Sequence, residues 1–70
     1  MRNWLVEKRI ESGMRQQEVA KRAGISQSYY SQLETGVRGK NISGTKAKRI
    51  AKILNFKWTL FYDDMFKEAG

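Results

Sequence analysis

The chain has no cysteine, no histidine and no proline among its 70 residues. Without cysteine there is no disulfide to staple a small fold, and without cysteine or histidine the usual zinc ligands are missing. No metal and no cofactor are therefore expected. The lack of cysteine fits an intracellular, cytoplasmic protein. Long apolar runs are also absent. The start, Met1-Arg2-Asn3-Trp4-Leu5-Val6-Glu7-Lys8, meets charge at once and reads neither as a signal peptide nor as a membrane span. Enzymatic groups are scarce. Asp63 and Asp64 sit together near a solvated end, and a chain this short leaves little room for a water-excluding pocket, so no enzyme is expected.

Positive charge is what the chain has in excess. Lys and Arg number 14 against 7 Asp and Glu, a formal net charge of +7. From Thr35 to Tyr62 there are Arg38, Lys40, Lys46, Lys48, Arg49, Lys52 and Lys57 and not one acidic residue. In a compact domain such a one-signed stretch concentrates its field on one side and favours a polyanionic partner; the plain alternative is that the charge serves solubility alone. A membrane-active cationic peptide fits poorly, because the basic residues are spread over several short helices and line no single long face.

The length allows one domain, residues 1–70, with a modest core. The apolar period is helical throughout. Asn3 can cap a first helix running to about Ser12, with Gly13 as its left-handed stop. A second runs from about Arg15 to Ala23, with Val19, Ala20 and Ala23 at helical spacing, and Gly24 ends it. Ser26 is an N-cap for a third helix to about Thr35, ended by Gly36. Val37 to Ile42 is a loop. Ser43 or Thr45 caps a fourth helix with an Ala47, Ile50, Ala51, Leu54 stripe and Asn55 at its exit. Trp58, Phe61, Tyr62 and Met65 mark a fifth.

The expected core gathers Leu5, Ile10, Met14, Val19, Ala20, Ala23, Ile25, Tyr30, Leu33, Ala47, Ile50, Ala51, Leu54, Phe56 and Phe61. Ala20 is small so that the second and third helices can cross closely. The free face of the third helix then carries Gln27, Ser28, Ser31 and Gln32. Small polar side chains on an exposed helix of a basic protein suit the base edges of a DNA major groove. A Gln amide can accept from adenine N6 and donate to N7, which singles out Gln27; the ordinary alternative is the polar face of a surface helix.

The segment from Gln16 to Glu34 resembles the helix-turn-helix of the lambda-repressor/Cro-like group. Gln16, Ala20, Gly24-Ile25-Ser26, Gln32-Leu33-Glu34 and Gly36 are its most specific part, and the likeness extends from about Leu5 to Tyr62. Lys8-Arg9-Ile10, then Gly13, then Gln16, is similar to the start of the 434-type phage repressors. The resemblance implies an all-α, compact five-helix lambda-repressor-like domain with the helix-turn-helix at helices two and three. It implies double-stranded DNA as the partner, with Gln16 on a phosphate and Gln27, Ser28, Ser31 and Gln32 toward bases. Arg15 stands where the family usually has a capping Thr or Ser, and brings charge to the same phosphate. Ser26, Tyr29, Arg38, Lys40, Asn41 and Ser43 are candidates for the DNA backbone, Tyr29 being equally suited to a protein contact. The loop holding Arg38, Lys40 and Asn41 is about two residues longer than the family's and lacks its proline.

The resemblance, rather than spacing, also implies an internal ion pair between Arg9 and Glu34. Trp58, Leu60, Tyr62, Met65 and Phe66 offer more apolar surface than one small core uses. In this family the fifth helix often supplies the dimer contact, so a homodimer on a palindromic operator is expected. The reading is a sequence-specific transcriptional regulator, a small phage or mobile-element repressor. The alternative is a protein-interaction module of the same fold, an antirepressor that binds a partner repressor.

Overall fold

Leu5, Val19, Tyr30, Leu33, Ala47, Ile50 and Phe61 are fully buried, and one helix after another is built to deliver them to the same core. The computed structural model describes residues 1–63, and among these the regular elements are all helices. Helix α1 spans Asn3–Glu11, α2 Gln16–Ala23, α3 Gln27–Thr35 and α4 Gly44–Leu54. A fifth helical segment, α5, is described over residues 60–63. α2 packs on both α3 and α4, and α1 lies against α3.

The helix ends follow local chemistry. The Ser26 hydroxyl accepts from the Tyr29 N–H at 3.0 Å, and the Ser43 hydroxyl from the Lys46 N–H at 3.2 Å, so Ser43 and not Thr45 is the cap. Asn55 takes the left-handed exit of α4 at φ 58°. The start of α1 differs from the sequence expectation: Arg2, not Asn3, occupies the N-cap, and it has no side-chain cap. The Arg2 N–H donates to the Glu34 carbonyl at 2.7 Å, which ties the chain down one residue earlier and leaves Asn3 in the exposed first turn.

Two further corrections concern packing. Ile10 was expected in the core but is 63% exposed. α1 turns its Leu5–Arg9 side inward because Arg9 has a buried carboxylate to meet, and Ile10 falls a hundred degrees away. Trp58 was expected within the fifth helix and lies in the turn before it. The core also includes Ile42, from the loop, at 4% exposure. Trp4, Phe56 and Phe61 meet edge to face, with centroids 5.1–5.8 Å apart. No described helix is long and apolar enough to cross a membrane.

Candidate nucleic-acid interface

α3 is held across α2 by a short list of contacts. Ala20 is buried at the crossing. Gly24 leaves α2 at φ 71°, a conformation costly for any residue with a Cβ, and lets the Ile25 N–H donate back to the Ala20 carbonyl at 3.0 Å. Ile25 is drawn against the core, and Ser26 then starts α3. The inward side of α3 carries Tyr30, Leu33 and Glu34, all buried. The outward side carries Gln27 and Ser28, exposed, with Ser31 and Gln32 half-buried. The four side chains assigned to base reading thus share one helix and its outer surface.

A buried carboxylate locks this helix from behind. The Arg9 Nε–H donates to Glu34 Oε2 at 2.6 Å, and the same guanidinium donates to the Met14 carbonyl at 3.0 Å. Gln16 adds its amide, Nε2 to Glu34 Oε1 at 2.8 Å. Burial alone pushes the Glu34 carboxyl up; hydrogen bonds from Arg9 and Gln16 outweigh it and hold the group below the usual carboxylate range. The hydrogen bond to Glu34 raises Arg9 further above its already high value. Burial, with Glu34 alongside, pushes the Tyr30 hydroxyl far above the ordinary phenol range. Gln16 is therefore part of the brace under α3, with one amide hydrogen remaining for an outside acceptor such as a phosphate.

Cations frame the outer face. Arg15 is exposed just before α2, whose first turn is closed by Glu18: its carboxylate accepts from the Arg15 N–H at 3.4 Å. The Lys46 ammonium sits over the Tyr29 ring, 4.9 Å from its centroid, so α4 delivers charge to the flank of α3. Arg49 lies over the turn, its Nη1 3.7 Å from where a Cβ on Gly24 would stand. Tyr29, Arg38, Lys40 and Asn41 line one shallow cleft between α3 and the loop after it. Ser26 and Ser43 spend their acceptor oxygens on caps, which leaves each hydroxyl hydrogen as a donor.

The C-terminal aromatics are partly committed within the chain. The Tyr62 hydroxyl donates to the Ile42 carbonyl at 2.8 Å, and Trp58 meets the Tyr62 ring edge to face. The Lys48 ammonium covers the other aromatic surface, 5.0 Å from the Trp58 ring centroid. Leu60 is half-buried. Met65 and Phe66 lie outside the described residues.

The sequence assigns Arg2 no role and Gly39 only a place in the loop, yet both shape that loop. Arg2 is 6% exposed, and its Nη1 donates to the carbonyls of Leu33 at 2.6 Å and Arg38 at 2.7 Å. Gly39, at φ 103°, passes so close that a Cβ there would stand 2.9 Å from Arg2 Nη2 and 3.0 Å from Leu33 Cδ2. The only advance signal was a glycine in the loop; nothing in the pattern marks a buried arginine at position 2.

Two short helices joined through a left-handed glycine, the second held across the first with a polar outer face, make a helix-turn-helix. A family model described as helix-turn-helix matches residues 5–61, and the chain belongs to this lambda-repressor-like helix-turn-helix family. It is 41% identical over 69 residues to a Bacillus subtilis (strain 168) protein named "Uncharacterized HTH-type transcriptional regulator YqaF", covering 99% of this chain and 88% of the relative. No solved structure matches it significantly.

Proposed function

We propose that the protein binds double-stranded DNA sequence-specifically and acts in the cytoplasm as a small transcriptional regulator, a repressor of the phage or mobile-element kind. The observation that carries this reading is the outer face of α3, with Gln27 and Ser28 in solvent and Ser31 and Gln32 beside them, on a helix braced from behind by buried Glu34. Such a face enters a major groove with its first turn toward the bases. Gln27 makes no side-chain hydrogen bond among the described residues, so its amide is available to adenine N6 and N7. Arg15, Lys40 and Lys46 flank it where phosphates would run. Membership in the helix-turn-helix family and the YqaF name, that of a transcriptional regulator, support the same reading.

A homodimer is part of the proposal. A two-fold pair sets two reading helices about 34 Å apart, one turn of duplex, and selects a palindrome. Selection from a random duplex pool tests the whole reading. The expected product is an inverted repeat, and Gln27→Ala erases the preference at one base position in each half-site while sparing the others. A pool that yields no enriched duplex, together with co-purification of a neighbouring repressor, selects the antirepressor alternative instead.

A further inference from the structure

Gln32 has two ties to Arg38. The Arg38 backbone N–H donates to the Gln32 backbone carbonyl at 3.1 Å. The Arg38 Nε–H donates to the Gln32 side-chain Oε1 at 3.2 Å. A guanidinium carries donors and no acceptor, so only the oxygen end of the amide can face it. The orientation of Gln32 is thus set by chemistry.

Arg38 is itself held in place. Its carbonyl accepts from Arg2, whose guanidinium also grips the end of α3 through the Leu33 carbonyl. Gly39 and the buried Ile42 press the rest of the loop onto the bundle, and the Tyr62 hydroxyl ties down the Ile42 carbonyl. These contacts hold the Arg38 backbone against the end of α3, and its exposed side chain meets Gln32 through the Nε–Oε1 bond.

Building on the DNA-reading role of α3, we infer that Arg38 is a specificity-determining positioning residue that presents Gln32 to the groove as a hydrogen-bond donor, so that Gln32 reads guanine. An unrestrained Gln amide pairs with adenine by donating to N7 and accepting from N6. With Oε1 engaged, Gln32 offers its N–H groups. Guanine presents two neighbouring acceptors there, O6 and N7, and no donor. An adenine amino group approaching the remaining lone pair of Oε1 would meet the guanidinium, donor against donor. Gln27, with no such neighbour, keeps both ends of its amide. Two glutamines on one helix thereby read opposite purines.

Three proteins carried through the same duplex selection test this: wild type, Arg38→Ala and Gln32→Ala. Wild type should prefer guanine at the position that Gln32→Ala makes indifferent. Arg38→Ala should move the guanine-to-adenine ratio at that position toward adenine by about tenfold, with other positions unchanged. If Arg38→Ala weakens every sequence alike and the guanine preference stays, Arg38 is a phosphate contact and the inference is overturned. Failure of wild type to enrich any duplex overturns the DNA-reading role itself. A readout without DNA separates the two. By NMR the Arg38 Nε–H should exchange with water several-fold faster in Gln32→Ala than in wild type, and equal exchange removes the tie whatever the DNA result.

Discussion

Arg9 and Glu34 lie 25 residues apart in sequence and share a 2.6 Å hydrogen bond between Nε and Oε2. The Glu34 side chain is only 3% exposed and that of Arg9 18%, so the pair joins α1 to the buried side of α3. Breaking a buried pair leaves its partner charged in a poor solvent, which costs more than removing both. Arg9→Met or Glu34→Leu alone should each lower unfolding free energy by about 3 kcal/mol, and the double replacement by distinctly less. Urea titration of the three variants and wild type measures the difference; additive losses would show that the two residues act independently.

The same carboxylate sets an acid limb. The folded protein holds Glu34 below its ordinary value of 4.5. Between the two values the unfolded chain binds the extra proton. The pair's contribution is therefore complete above the ordinary carboxylate range and fades as pH falls through the lowered one. Stability followed by chemical denaturation should fall with acid below about pH 4.5, and Glu34→Gln should flatten that slope while lowering stability at neutral pH. An identical acid slope in Glu34→Gln would assign the limb to other carboxylates.

Gly39 combines a left-handed backbone with a void smaller than a methyl group, since a Cβ would meet Arg2 and Leu33 at 2.9 and 3.0 Å. Gly39→Ala should cost about 2 kcal/mol through backbone strain and crowding. For a domain of this size that lowers Tm by roughly 8–16 °C. Gly13, also left-handed but with nothing within 4 Å of a Cβ, is the control: Gly13→Ala pays for φ alone and should cost less.

Salt dependence follows from the cationic frame. A dimer that neutralises about 6–10 phosphates should lose roughly three to five orders of magnitude in affinity between 50 and 200 mM salt. Lys46→Ala should weaken all duplexes about equally and lower the slope by about one per subunit, because Lys46 stands beside α3 on the Tyr29 ring. Fluorescence anisotropy with a selected duplex and a scrambled one reads both quantities.

Most of the fold was legible because its signals are local. Ser26, Ser43, Gly24, Gly36 and Asn55 end helices by chemistry that involves a turn or two of chain, and the Ala47-to-Leu54 stripe states its own buried side. What stayed hidden depends on residues far apart. Arg2 reads as a charged residue near the start and becomes buried only because carbonyls from Leu33 and Arg38 converge on it. Ile10 reads as core by hydrophobicity and is displaced outward because Arg9 has a partner 25 residues away. Within the candidate interface, the identity of the outward residues on α3 could be read from helical phase. The link from Arg38 to Gln32 could not, because it joins a side chain of an irregular loop to the helix, and no periodic pattern marks it.

Met1 has a practical bearing on any measurement of folding. Its backbone nitrogen lies 3.8 Å from where a Cβ on Gly36 would stand, at the terminus of α3. An affinity tag fused ahead of Met1 would emerge beside the C-terminal end of α3 and next to Arg2, whose backbone N–H is bonded to the Glu34 carbonyl. A purification handle there would load the Arg2 anchor and should be cleaved before folding is judged.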